Sequence, residues 1–147
     1  TECVTGIDLI KEQIRIAAGK KLSYRQQDVR IGGHAIECRI NAENPKEQFR
    51  PSPGLITDVY FPGGKGVRID TAVYNGYEVP AYYDSMLAKL IVHAKTRKEA
   101  ISKMRSALGE VIIEGVDTNV DYQYEIMNHP DYQAGNVDIE FISEKMC

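Results

Sequence analysis

The run of eight residues from Ile36 to Glu43 carries the side chains with which this sequence could do chemistry. Apolar and polar residues alternate along it, with Ile36, Cys38, Ile40 and Ala42 on one side and Glu37, Arg39, Asn41 and Glu43 on the other. A period of two is typical of a half-buried β-strand. Arg39 is the most capable of these groups, because its rigid, permanently charged fork suits a carboxylate, a phosphate or a developing oxyanion.

Two interpretations of Arg39 remain open from the residues alone. A strand positions a side chain more firmly than a loop does, which favours a binding or catalytic role. An ordinary surface strand carries similar charges, and Arg39 would then form only a cross-strand salt bridge. The pattern by itself favours this second interpretation. Asp84, which follows two tyrosines, is the other carboxylate that we single out.

Other familiar chemistries are not supported by the residue spacing. The segment Gly63-Gly64-Lys65-Gly66 lacks the spacer and the Gly-Lys-Ser/Thr ending of a nucleotide P-loop, so a hairpin turn between strands is predicted. The three histidines have no ligand-like spacing, and no metal site is predicted. We expect three reduced thiols in a cytoplasmic protein, none of them catalytic. These thiols belong to Cys3, Cys38 and Cys147.

Length and charge narrow the class of protein. The chain has 147 residues, 43% of them hydrophobic, which is enough for one domain with its own core. A net charge of −3 argues against a nucleic-acid partner, and no apolar run approaches the length of a membrane span. Because the chain opens at Thr1 without methionine, we expect it to be a piece excised from a longer protein.

The elements that must position Arg39 follow from periodicity and turn chemistry. Strands are predicted at residues 36–43, 55–61, 67–70, 87–94 and 111–115, and helices at 5–19, 96–109 and 120–127. Thr5 is the predicted cap of the first helix, Thr96 and Glu99 form a capping box, and Thr118 or Asn119 starts the last helix. Strands in the middle with helices at both ends predict an α+β domain with a largely antiparallel sheet flanked by helices.

Several short blocks occur in the order in which the biotin carboxylase family has them. They are residues 5–13 (TGIDLIKEQ), 33–43 (GHAIECRINAE), 51–54 (PSPG), 62–68 (PGGKGVR), 82–86 (YYDSM) and 118–119 (TN). From Thr5 to at least Ile142 the sequence therefore resembles the C-terminal domain of biotin carboxylase. The resemblance implies that residues 1–147 form this domain, and that the N-terminal and ATP-grasp domains lie upstream of this chain.

The resemblance also implies roles for individual residues. Arg39 would be the one catalytic residue of the domain, holding the ureido oxygen of biotin and stabilising the enolate formed when N1′ loses its proton. Glu37 and Asp84 would support it, Asp84 by orienting the guanidinium. Ile139 would contact the adenine of ATP. Lys65 and Arg68 would lie at a homodimer interface, although Lys65 replaces the aromatic residue usual there.

By the same resemblance, the intact enzyme would use ATP, Mg²⁺ and biotin, whereas this fragment alone would bind none of them and be inactive. The expected partners are its own ATP-grasp domain, a biotin carboxyl carrier protein, a carboxyltransferase and a second copy of the enzyme. The blocks Arg-Ile-Asn-Ala-Glu and Pro-Ser-Pro-Gly resemble the acetyl-CoA carboxylase branch, which serves fatty-acid synthesis. Another acyl-CoA or pyruvate carboxylase, or a purely structural dimerisation module, remain the alternatives.

Overall fold

A computed structural model describes residues 1–146 of the chain. The helices are α1 (Glu2–Thr5), α2 (Leu9–Ala17), α3 (Arg97–Glu110), α4 (Val120–Asn128), α5 (Pro130–Ala134) and α6 (Phe141–Lys145), with 3₁₀ turns at Gln26–Asp28 and Pro45–Glu47. The strands are β1 (His34–Asn41), β2 (Glu43–Asn44), β3 (Arg50–Pro51), β4 (Gly54–Leu55), β5 (Asp58–Tyr60), β6 (Val67–Thr71), β7 (Glu78–Val79), β8 (Met86–Ala94) and β9 (Ile112–Glu114).

The main sheet has three antiparallel strands in the order β1-β8-β6. The alternation predicted for the first strand is confirmed: Ile36, Cys38 and Ile40 are buried, while Glu37 and Arg39 are exposed. Helix α3 packs on the buried face with Ala100, Ile101, Met104, Ala107 and Leu108. The predicted α+β class with an antiparallel sheet and flanking helices is therefore confirmed.

The capping box predicted for α3 is also present. The Thr96 hydroxyl accepts a hydrogen bond from the Glu99 N–H at 3.2 Å, and Glu99 Oε2 accepts one from the Thr96 N–H at 3.2 Å. Two of the free N–H groups at the helix start are thereby satisfied, and the helix begins at the next residue, Arg97.

The strand predicted over residues 55–61 is broken in two, and the predicted hairpin at the glycine turn is wrong. Strand β4 pairs with β7, whereas β5 pairs with β9. The glycine turn then leads into β6, which pairs with β8 in the main sheet. The turn thus connects two different sheets, because both neighbouring strands find partners far away in the sequence.

The first long helix also differs from its prediction. Its cap is Asp8, whose Oδ1 accepts from the Lys11 N–H at 2.9 Å, and not Thr5, whose hydroxyl donates to the Thr1 carbonyl. Apolar residues at helical spacing on α2 face water, with Ile10 62% and Ile14 65% exposed. The side chain that α2 does bury is Glu12, whose carboxylate accepts the Ser23 N–H.

The C-terminal helices complete the layer that covers the sheet. Helix α4 begins after Asn119, as predicted, but the Asn119 side chain makes no capping bond to the helix. Helix α5 starts directly after α4, because His129 Nδ1 accepts the Asp131 N–H and so caps a new helix. Phe141 of α6 is buried in the main core. In the part of the chain described, no helix is long and apolar enough to cross a membrane.

Candidate active site

The outer face of the main sheet carries a row of charged groups that the strand register brings together. Arg39 of β1 lies opposite Lys89 of β8, which in turn lies opposite Asp70 of β6. Like-charged Arg39 and Lys89 are direct neighbours, an arrangement that opposes folding slightly. Such a cost fits a face whose positive charge serves a purpose other than stability.

The Arg39 side chain is 67% exposed and only loosely held. Its Nε lies 3.5 Å from Glu37 Oε1, two residues away on the same face of the same strand. The sequence pattern predicts a cross-strand pair, whereas the structure places the partner on β1 itself. An exposed ion pair of this length contributes about 0–1 kcal/mol to stability, so the guanidinium is free to exchange Glu37 for another anion.

An open cleft lies between the C-terminal end of β1, the segment around Pro51–Pro53 and the segment that leads into β8. Its polar lining consists mainly of Arg39, Asn41, Glu43, Ser52, Asp84 and Ser85. Asn41 Nδ2 donates to Glu43 Oε1 at 3.2 Å, and the Ser85 hydroxyl donates to the same oxygen. Below them the buried Ala42 donates its N–H to the Ser85 carbonyl and accepts the Ser52 N–H. The floor of the cleft is therefore tied to three separate chain segments.

Asp84 lies in the same cleft as Arg39, but its carboxylate has a local partner. Asp84 Oδ1 accepts a hydrogen bond from the Met86 N–H at 2.8 Å. Among the ion pairs of residues 1–146, Arg39 is joined to Glu37 and not to Asp84. Asp84 thus shapes the turn before β8 in this structure, and its predicted role in orienting Arg39 stays a prediction.

Asn119 binds the strand that carries Arg39, a contact that the sequence did not reveal. Only 5% of it is exposed, and its carboxamide contacts the backbone of β1 on both sides of Ile40. The Asn41 N–H donates to Asn119 Oδ1 at 2.9 Å, and Asn119 Nδ2 donates to the Arg39 carbonyl at 3.1 Å. Its position before a helix predicts a cap, and no local signal distinguishes a cap from a contact 78 residues away.

The remaining predicted residues lie outside the cleft. Arg68 shares the outer face of the sheet, where Asp70 binds it through two hydrogen bonds of 2.8 and 2.9 Å and Glu2 accepts a third. These carboxylates raise the pKa of the Arg68 guanidinium further. Lys65 lies in the glycine turn, and its carbonyl accepts from Lys103 Nζ. Ile139 lies just before α6 and is 95% exposed.

Among the described residues, neither the cysteines nor a group of metal ligands forms a second functional site. Cys38 is buried, and burial, aided by the charge of Glu37, raises the pKa of its thiol to about 12. Cys3 is a partly buried free thiol, and Cys147 lies outside the described residues. Within residues 1–146, no three His, Cys, Asp or Glu side chains are grouped to hold a metal ion.

Comparison with known proteins identifies the family to which this site belongs. The family model described as "Biotin carboxylase C-terminal domain" matches residues 37–144, a range that includes Arg39 and nearly all of the main sheet. The chain belongs to the biotin carboxylase C-terminal domain family. Full-length members of this family are ATP-dependent carboxylases of the ligase class.

Three relatives illustrate the similarity. A biotin carboxylase of Allochromatium vinosum is 55% identical over 99% of this chain, and a pyruvate carboxylase subunit of Methanothermobacter thermautotrophicus is 51% identical over 98% of it. A crystal structure of the biotin carboxylase domain dimer of Hydrogenobacter thermophilus 2-oxoglutarate carboxylase, with MgADP, ADP and bicarbonate, matches 97% of the chain with a TM-score of 0.94 and 48% identity.

The chain is much shorter than these relatives. It spans 32% of the Allochromatium protein, 29% of the Methanothermobacter protein and 32% of the Hydrogenobacter chain. Relatives of similar identity are named for pyruvate and 2-oxoglutarate carboxylation. The family is therefore shown, whereas the acetyl-CoA carboxylase branch is not distinguished from the others.

Proposed function

We propose that this domain supplies Arg39 to the active site of a longer biotin carboxylase, which carboxylates carrier-bound biotin with ATP and bicarbonate. The observation that carries the proposal is the placement of Arg39 in an open cleft. The guanidinium is exposed, weakly paired and mounted on a strand whose other face is buried. A positive charge placed in this way is available to a substrate without the cost of breaking a strong ion pair.

The chemistry proposed for Arg39 is electrostatic stabilisation. When N1′ of biotin loses its proton, negative charge develops on the ureido oxygen, and a preorganised cation at that oxygen lowers the barrier. The guanidinium keeps its charge at any physiological pH and offers two N–H donors in one plane. Glu37 would hold the guanidinium until biotin replaces it, and Asp84, which lines the same cleft, would orient it.

The nucleotide would be bound mostly by residues outside this chain. We assign Mg²⁺ and the triphosphate to an upstream ATP-grasp domain, since the chain spans only 32% of the Allochromatium relative. Ile139 fits an adenine contact, because an almost fully exposed isoleucine gains free energy when a flat apolar ring covers it.

The wider assembly is also part of the proposal. A homodimer through Lys65 and Arg68 is supported by the dimer described for the Hydrogenobacter domain. The carrier protein and the carboxyltransferase would be the partners that deliver and use biotin. The blocks at residues 39–43 and 51–54 favour acetyl-CoA as the final acceptor and fatty-acid synthesis as the pathway.

The test is substitution of Arg39 in the intact polypeptide that carries this domain. Arg39→Lys keeps the charge but loses the fork, and Arg39→Ala removes both. We expect biotin-dependent ATP hydrolysis to fall by about 10²-fold or more, the usual effect of removing an oxyanion donor. Arg50→Lys is the matched control, because Arg50 is 69% exposed and is likewise paired with a nearby glutamate, Glu47. Full activity of Arg39→Ala would refute the proposal.

A structural role is the second candidate, and the ion pair with Glu37 favours it. If Arg39 served only that pair, Arg39→Lys would be fully active and at most slightly less stable. The same activity measurement, combined with thermal unfolding of each variant, separates the two functions.

A further inference from the structure

We propose that Asn119 is a positioning residue for Arg39: its buried carboxamide fixes the backbone of β1 and thereby the direction from which the guanidinium enters the cleft. The inference rests on the proposed function, since it assigns Asn119 a part in the reaction of Arg39. It adds a residue 80 positions away in the sequence to the same site.

Three hydrogen bonds join Asn119 to the two polar residues at the end of β1. Asn119 Nδ2 donates to the Arg39 carbonyl at 3.1 Å, and Asn119 Oδ1 accepts from the Asn41 N–H at 2.9 Å. The Asn119 N–H donates to the Asn41 carbonyl at 3.2 Å. Both ends of the carboxamide and the backbone N–H are used, and all three bonds lead to the same short segment.

These bonds replace a neighbouring strand that β1 lacks. β1 is an edge strand of the main sheet, so the groups on its outer edge have no partner in the β1-β8 ladder. The register of that ladder shifts between Ile40 and Asn41, which weakens the pairing at this point. A carboxamide offers the same kind of donor and acceptor as a peptide unit. Asn119 therefore pairs the Arg39 carbonyl and the Asn41 N–H, as a neighbouring strand would.

We call the three hydrogen bonds from Asn119 to Arg39 and Asn41 the Asn119 clamp. Its bond to the Arg39 carbonyl links it to the residue that carries the proposed catalytic guanidinium. Fixing this carbonyl and the Asn41 N–H restricts the backbone torsions next to Arg39, and with them the Cα–Cβ direction. Misplacement of a catalytic group by about 1 Å can cost about 10²-fold in rate. The helix that Asn119 precedes, α4, is anchored in the core by Ile126 and Met127.

An ordinary capping role does not account for these contacts. Asn119 stands at the N-cap of α4, yet its side chain accepts no hydrogen bond from the first turn of that helix. A capping asparagine normally binds the N–H two or three residues later. In this chain the carboxamide is diverted to β1, which leaves the helix start without its usual side-chain partner.

The direct test of the clamp is hydrogen exchange in the intact polypeptide. In Asn119→Ala, the Asn41 amide loses its acceptor, and we expect its exchange to become at least about tenfold faster. Asn128→Ala is the matched control: Asn128 ends the same helix, and its Nδ2 donates to the Tyr124 carbonyl within α4. Unchanged exchange at Asn41 in Asn119→Ala would overturn the proposal, whatever the activity of the variant.

The functional test is a double-mutant cycle with Arg39→Ala, measured as biotin-dependent ATP hydrolysis. We expect Asn119→Ala to lower kcat by about 10- to 100-fold without changing the KM for ATP. In the Arg39→Ala background it should have no further effect, because the group it positions is already absent. An equal loss in both backgrounds would mean a purely structural role and would overturn the proposal.

Two further results separate this inference from the proposed function. If Arg39→Ala is fully active, the proposed function fails, and the exchange experiment alone judges the clamp. If Arg39→Ala is inactive while Asn119→Ala is normal, only the positioning role fails. Should Asn119→Ala not fold, the double-mutant cycle is repeated with Asn119→Asp, which keeps the shape and the acceptor for Asn41 and loses only the donor to the Arg39 carbonyl. The same loss of kcat is expected, and normal kcat would overturn the positioning role.

Discussion

Cys38 and Arg39 are adjacent in β1 but lie on opposite faces of the sheet, and their contact with water differs accordingly. Cys38 is 2% exposed, whereas the Arg39 side chain is mostly in solvent. Burial favours the neutral thiol over the thiolate and raises the pKa of Cys38 to about 12. The arginine keeps its charge and is accessible to a substrate. One step along the strand thus separates an inert core residue from the proposed catalytic one.

The thiol of Cys38 should therefore resist alkylation. At pH 8 its thiolate fraction is about 10³-fold lower than that of a free cysteine, because the pKa lies about three units higher. We expect the folded chain treated with iodoacetamide at pH 8 to carry no label on the peptide containing Cys38, as read by mass spectrometry. The chain unfolded in guanidinium chloride should be labelled there, which controls for the reagent. Rapid labelling of folded protein at Cys38 would contradict its placement in the core.

At the scale of the element, α3 shows how a local signal sets the start of a helix. The Thr96 hydroxyl accepts the Glu99 N–H, and the helix then packs five apolar side chains on the main sheet. Thr96→Ala should lower the free energy of unfolding by about 1 kcal/mol, whereas Thr96→Ser keeps the hydroxyl and should change it little. Urea unfolding of both variants measures the difference. Equal stability of the two would show that the capping bond contributes nothing.

The elements that were predicted correctly depend on neighbours in sequence. The alternation of β1 and the capping box of α3 are both contained within a few residues, and the structure confirms them. The partner of β5 is β9, which is distant in sequence, and nothing in the local sequence chooses it over a hairpin. Asn119 is missed for the same reason, because the residue type that caps a helix can equally bind a distant strand.

The fold class, the strand that carries Arg39 and its outward direction could thus be predicted, whereas the walls of the cleft could not. Those walls come from segments around residues 52 and 84, and Asn119 binds the backbone of Arg39 from a third segment; only the tertiary fold brings them together. The orienting contact predicted between Arg39 and Asp84 could not be tested from the sequence either. It depends on side-chain torsions, and in this structure Asp84 binds the backbone of Met86 instead.

At the scale of the whole molecule, the apolar side of helix α2 is not packed against the core of the domain. The helical spacing of Ile10 and Ile14 predicts one apolar side, and the structure leaves both residues exposed, together with Leu9 and Ile16. An apolar face of this kind on a globular domain marks a surface that another part of an assembly covers. In the proposed function, that part is the upstream polypeptide found in the longer relatives.

Substitution of Ile14 measures whether this face is covered. In the 147-residue chain, Ile14→Gln should change the free energy of unfolding by less than about 0.5 kcal/mol, because the side chain is already in water. Ile101→Gln, at a buried position of α3, is the matched control and should destabilise by about 2 kcal/mol or more. In the intact polypeptide, Ile14→Gln should also destabilise, by about 1–3 kcal/mol, since burial of an isoleucine is worth about that much. If Ile14→Gln lowered the free energy of unfolding of the 147-residue chain, the exposure of Ile14 in this structure would be contradicted. If it left the stability of the intact polypeptide unchanged, the proposal that another segment covers α2 would be contradicted.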